Sequence, residues 1–116
     1  MKPAKTEKLI QSYLSKWVAR LALQEWKLTV LFHEHGFPND GRVDPHVEAC
    51  VNVNWDYLSA RIQFDLSLCS TFDKAELEDV VLHELMHIIV AELRPGDQTG
   101  EERTVTRLTR ALLANV

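Results

Sequence analysis

Residues 73–93 read DKAELEDVVLHELMHIIVAEL, a segment with the opening signals of a helix and almost no polar side. Asp73 and Glu76 are spaced as a capping box, in which each side chain satisfies a backbone N–H that the first turn leaves open. Phe72 and Leu77 flank that box as a hydrophobic staple. A helix should therefore begin at Asp73. Beyond it, Val80, Val81, Leu82, Leu85, Met86, Ile88, Ile89, Val90 and Leu93 fall on nearly every face. A helix apolar all round is a buried one. Pro95-Gly96 ends it.

Upstream, Leu9, Ile10, Tyr13, Leu14, Trp17, Val18 and Leu21 recur at spacings of three, four and seven. They predict an amphipathic helix over about residues 4–21 with its stripe on the core. The period then changes. Trp26, Leu28, Val30 and Phe32 alternate with Lys27, Thr29 and His33, as in a half-buried strand. Residues 34–46, with Gly36, Pro38, Asn39-Asp40-Gly41 and Pro45, read as a long irregular loop. Alternation returns in Val47, Ala49, Val51, Val53 and Trp55, and again in Ile62, Phe64 and Leu66, with a short turn at Asp56–Ser59 between them. Downstream, Thr99 and Glu102 offer a second capping box, followed by Val105, Leu108, Leu112 and Leu113 on one helix face. The expected fold class is α+β. It comprises an N-terminal helix, a small three-stranded sheet, the buried helix and a C-terminal helix, in one domain over residues 1–116.

Composition agrees. The chain has 116 residues, of which 46% are apolar and 26% charged. That excludes a disordered tail, a collagen-like repeat and a disulfide-dense scaffold. Thirteen Lys and Arg stand against seventeen Asp and Glu, a net charge of −4 with no basic run. Nucleic acid is therefore not an expected partner. No apolar run approaches the roughly 20 residues that cross a bilayer, and no signal-peptide core is visible, so no membrane partner is expected either. Cys50 and Cys69 lack metal-like spacing and suggest a reducing compartment; a cytoplasmic monomer is the expectation.

Inside the apolar helix sits His83-Glu84-Leu85-Met86-His87. Spacing of i and i+4 puts both imidazoles on one face, about one turn apart, where both can reach one ion. Glu84 lies beside them, able to reach a metal-bound water without itself binding the metal. This is the HExxH arrangement of zinc metallopeptidases. Chance placement gives about 0.02 such matches in a chain with five His and ten Glu. Two histidines and a glutamate in an apolar helix would also cost about 1–3 kcal/mol each unless they have partners. A metal ion supplies one.

Catalytic zinc usually takes three protein ligands and a water. No histidine follows His87, and the metzincin extension is absent because Val90 and Leu93 stand where it needs Gly and His. The remaining candidates on the C-terminal side are Glu92, Asp97, Glu101 and Glu102. Glu92 is rotated away on the same helix, and Asp97 sits in the Pro-Gly loop. Glu101 and Glu102 open the last helix, which must fold back along the histidine helix to bury its leucines. Periodicity favours Glu101, which shares a face with Val105, Leu108 and Leu112.

At these residues the chain resembles the gluzincins, in particular their small single-domain, minigluzincin-like members of phage and bacterial genomes. The motif covers residues 83–102, and the order of elements also fits. The resemblance implies a third ligand that is a Glu at the start of the helix after the HExxH helix, followed at +3 by a small or apolar residue and at +4 by a polar one. From Glu102 these are Val105 and Thr106, although Asp or Asn is usual at +4. From Glu101 they are Thr104 and Val105, a poorer match. The clan pattern thus selects Glu102, which would leave Glu101 a solvated carboxylate of the first turn.

The resemblance implies a zinc-dependent peptidase acting on a peptide or protein substrate, with one Zn2+ ion held by His83, His87 and Glu102 and with Glu84 as general base. It also implies that the strand Ala60–Leu66 lies at the cleft edge and pairs with extended substrate. The alternative is a zinc-stabilised regulatory or binding protein with little proteolysis. Tyr57 is a candidate to stabilise an oxyanion. His33, His35 and His46 read as surface residues, because nothing completes a tetrahedral set around them. Trp17, Trp26 and Trp55 sit at core phases of their elements.

Overall fold

The computed structural model of the protein describes residues 1–36, 38–39, 42–43, 47–93 and 98–114. Its elements run α1 (Pro3–Arg20), β1 (Lys27–His33), β2 (Pro38–Asn39), β3 (Arg42–Val43), β4 (Ala49–Asn54), a 3-10 turn (Trp55–Tyr57), β5 (Ser59–Asp65), α2 (Leu66–Cys69), α3 (Lys74–Leu93) and α4 (Gln98–Ala114). The fold is α+β.

The three-stranded sheet has the order β1-β5-β4, with β1 parallel and β4 antiparallel to β5. Register puts Val30 and Val51 on either side of Ile62, and Phe32 and Ala49 on either side of Phe64. The alternating apolar residues therefore form one continuous face, on which the Phe32 and Phe64 rings stack at 5.7 Å. That face, α1 and α3 share a single core, in which Ile10, Trp17, Ile62, Phe64, Val81 and Leu85 are all buried. Trp26 is buried with them; the Trp55 side chain and His46 lie outside the described residues.

Helix α3 starts as its sequence predicts. The Asp73 N–H donates to Glu76 Oε1 at 2.9 Å, and the Glu76 N–H donates to Asp73 Oδ1 at 2.8 Å. Phe72 and Leu77 both pack into the core. Glu78 ties α3 to α1, its Oε2 accepting from Lys16 Nζ at 2.6 Å and from Trp17 Nε1 at 2.8 Å.

Five expectations are corrected. Leu66 does not extend the third strand. The Asp65 carboxylate caps a short helix there, accepting from the backbone N–H groups of Ser67 and Leu68. The 34–46 segment is not wholly irregular, since β2 and β3 pair antiparallel within it. Strand β5 does not lie at an edge: it is central, with both sides occupied, so it cannot add a substrate strand. Lastly, Thr109, one turn after Val105, takes an inward place on α4, while Leu108 is 39% exposed. Helix α4 also includes Thr99 in its first turn instead of starting after it as a cap; the Thr99 side chain lies outside the described residues. No described helix is long and apolar enough to cross a membrane.

Candidate metal centre

Helix α4 folds back against α3, which carries the first turn of α4 to the middle of the histidine face. His83 and His87 stand one turn apart, with their Nε2 atoms 3.3 Å from each other. Glu102 closes the group. Its Oε1 is 2.8 Å from His87 Nε2 and its Oε2 is 3.4 Å from His83 Nε2. His83, His87 and Glu102 form a group that could hold a metal ion.

Glu101 faces the other way around the same imidazole. His87 Nδ1 donates to Glu101 Oε2 at 2.7 Å, and the Glu101 side chain is 18% exposed against 63% for Glu102. The expectation of a solvated Glu101 is thus corrected: its inward phase on α4 places it behind His87. A neutral imidazole carries one N–H. If His87 gives that proton to Glu101, its Nε2 is a lone pair facing a carboxylate oxygen and a second imidazole nitrogen. A proton can satisfy one pair of those atoms at a time. A cation among them satisfies all three, so this donor set fits a metal ion.

Glu84 projects beside the group. It is 8% exposed, and its carboxylate has no hydrogen-bond or ion-pair partner among the described residues. Burial, and after it the charges of Glu102 and Glu48, push its carboxyl up to about 8. It opens on a cavity of ≈ 250 Å³ lined by Glu48, Ala49, Asp79, His83, Glu84 and Glu102 among others. Ala49 begins β4, whose outer side is unpaired among the described residues, so the free edge of the sheet starts at this cavity.

The other candidates lie elsewhere. Tyr57 is 80% exposed, past the far end of β4 from Ala49, and does not line the cavity. His33 Nε2 pairs with Gln63 Oε1 at 2.9 Å across the sheet, and His35 is exposed. Asp97 lies outside the described residues, as does the Glu92 side chain. Cys50 and Cys69 are free thiols, and burial pushes Cys69 up to about 12. Sequence reasoning missed Glu48 and Asp79. Asp79 had a signal, because 79, 83 and 87 are successive i+4 positions on one helix face. Glu48 had none, since only the sheet topology brings it to α3.

Comparison of the chain with family models, curated proteins and solved structures finds no match.

Proposed function

We propose that the protein is a zinc-dependent peptidase of gluzincin type, with one zinc ion held by His83, His87 and Glu102. The observation that carries this reading is the Glu84 carboxylate, unpartnered among the described residues and buried at the mouth of a cavity beside three converging donor atoms. Zinc suits the donors. Two imidazole nitrogens and one carboxylate are a usual zinc ligand set, and one ligand atom from each of the three residues lies within 4.8 Å of the others.

Zinc bound there would polarise a peptide carbonyl and lower the pKa of a water toward about 7. Glu84 takes a proton from that water as its oxygen adds to the carbonyl carbon. The C–N bond then breaks, and Glu84 returns the proton to the leaving amine nitrogen. A carboxyl already pushed toward neutral pH by burial is matched to both transfers. The substrate backbone is held by strand addition to the open edge of β4, a role that β5 cannot fill from the centre of the sheet. Two unpaired thiols suit a reducing compartment.

A zinc site that only stabilises the fold is normally closed by four protein ligands. The cavity beside His83 and Glu84 leaves this group open, which favours hydrolysis over a purely structural role. The test is to load the protein with zinc, confirm about one equivalent, and digest a broad peptide library beside Glu84→Gln. Cleavage by the wild type alone is expected. A zinc-loaded wild type that cleaves nothing in the library overturns the reading.

A further inference from the structure

We propose that the cavity beside the metal-binding group takes a cationic group of the substrate, an alkylammonium or guanidinium next to the scissile bond, selected by Glu48 and Asp79. This rests on the peptidase reading above. Four carboxylates line the cavity, from Glu48, Asp79, Glu84 and Glu102, and no Lys or Arg lines it among the described residues. A divalent ion balances two of those charges, and the two carboxylates already given work are Glu102 as a ligand and Glu84 as the base. Glu48 and Asp79 are left over.

Neither is neutralised by a described residue. Among the described residues, neither side chain has a hydrogen bond or an ion pair, although such pairing is the usual fate of a partly buried carboxylate. Both are half-buried. The second pointer to a ligand is Glu84 itself, a carboxylate more than nine-tenths buried, without a partner among the described residues and open to the same cavity.

The two acidic groups stand on different walls. Glu48 immediately precedes β4, and its backbone carbonyl accepts from the Asp65 N–H at 2.9 Å and from Cys69 Sγ at 3.5 Å, which fixes the chain there. Asp79 sits one helical turn before His83 on α3. A peptide laid along β4 enters the cavity between them, so a positive group near its reacting carbonyl meets both carboxylates. A Lys or Arg side chain and a free amino terminus offer the same chemistry, and the probes below separate them.

Three hydroxamates are titrated by calorimetry into the zinc-loaded protein: Nα-acetyl-lysine hydroxamate, Nα-acetyl-norleucine hydroxamate and norleucine hydroxamate with its free amine. One of the two cationic probes should bind about tenfold or more tightly than the neutral acetylated norleucine compound. Tight binding of the lysine probe assigns a side-chain subsite, and of the free-amine probe an amino-terminal one. The preference should fall to about one in the double variant Glu48→Gln, Asp79→Asn, and weaken with added salt. Equal binding of all three probes, or a preference that survives in the double variant, overturns the inference and leaves the peptidase reading standing. A cation preference in a protein that cleaves no peptide overturns the peptidase reading alone. Failure to bind any of the three overturns both.

Discussion

Glu101 Oε2 accepts a hydrogen bond from His87 Nδ1 at 2.7 Å, on the opposite side of the imidazole from Glu102. Neighbouring residues of one helical turn thus grip one ring from both sides. The bond fixes the tautomer that leaves Nε2 free for a metal, and it makes the nitrogen a better donor. Removing it should weaken metal affinity by about 10–100-fold without removing a ligand. Glu101→Ala should show that loss in competition with a chelator, and Glu101→Gln, whose amide oxygen can still accept from Nδ1, should recover part of it. Affinity within about threefold of wild type for Glu101→Ala would assign the bond to packing only.

Glu102→Ala tests the ligand itself. It leaves a two-histidine site, so zinc affinity should drop by orders of magnitude, well beyond the Glu101→Ala effect. Its side chain is 63% exposed, so the melting temperature of the metal-free protein should barely change. Zinc binding like that of wild type would place the third ligand elsewhere and remove the main support for the gluzincin resemblance.

What could be read in advance follows from how local each signal is. The capping box at Asp73 and the i, i+4 pair of histidines lie within single helical turns, and both occur where the spacing puts them. The rivalry between Glu101 and Glu102 was local as well. Periodicity pointed Glu101 inward and the clan pattern pointed Glu102 at the histidines, and the geometry gives each a side of His87. The position of β5 was not legible, because alternation in Ile62 and Phe64 says which face is buried and nothing about which strands lie on either side. The inward turn of Thr109 was missed because apolarity ranked Leu108 above it. Glu48 acquires its place only when β4 pairs with β5, a contact between distant segments.

Glu84→Gln separates base from ligand. The amide cannot take a proton from water, so hydrolysis should be lost while zinc is retained. The fold should also gain, or lose nothing, when metal is absent. A carboxylate pushed up to about 8 by burial destabilises the metal-free protein as pH rises from its unfolded value through 8. The variant carries no such charge, so its melting temperature at pH 8 or above should equal or exceed that of wild type. Loss of zinc in Glu84→Gln would instead make Glu84 a ligand.

Asp65 gives the clearest pH dependence away from the metal. Its Oδ2 accepts from the Gly36 N–H at 2.7 Å, and its Oδ1 accepts from the Ser67 N–H and hydroxyl at 2.9 and 2.6 Å and from the Leu68 N–H at 3.2 Å. One carboxylate therefore caps α2 and ties the end of β1 to the end of β5. Burial alone would raise its pKa; the hydrogen bonds from Ser67, Gly36 and Leu68 outweigh burial and hold it below the usual carboxylate value. A depressed folded pKa contributes stability that is fully present above the unfolded value of about 3.9 and is lost as pH falls through the folded one. Asp65→Ala removes the cap and the charge-assisted bonds, at a cost of roughly 2–3 kcal/mol at neutral pH. Denaturant unfolding of both proteins from pH 7 to pH 3 should show a constant gap down to about pH 5 and a shrinking one below about 4. A gap that stays constant to pH 3 would mean that the bonds hold without the charge, and a gap that widens in acid would reverse the sign of the shift.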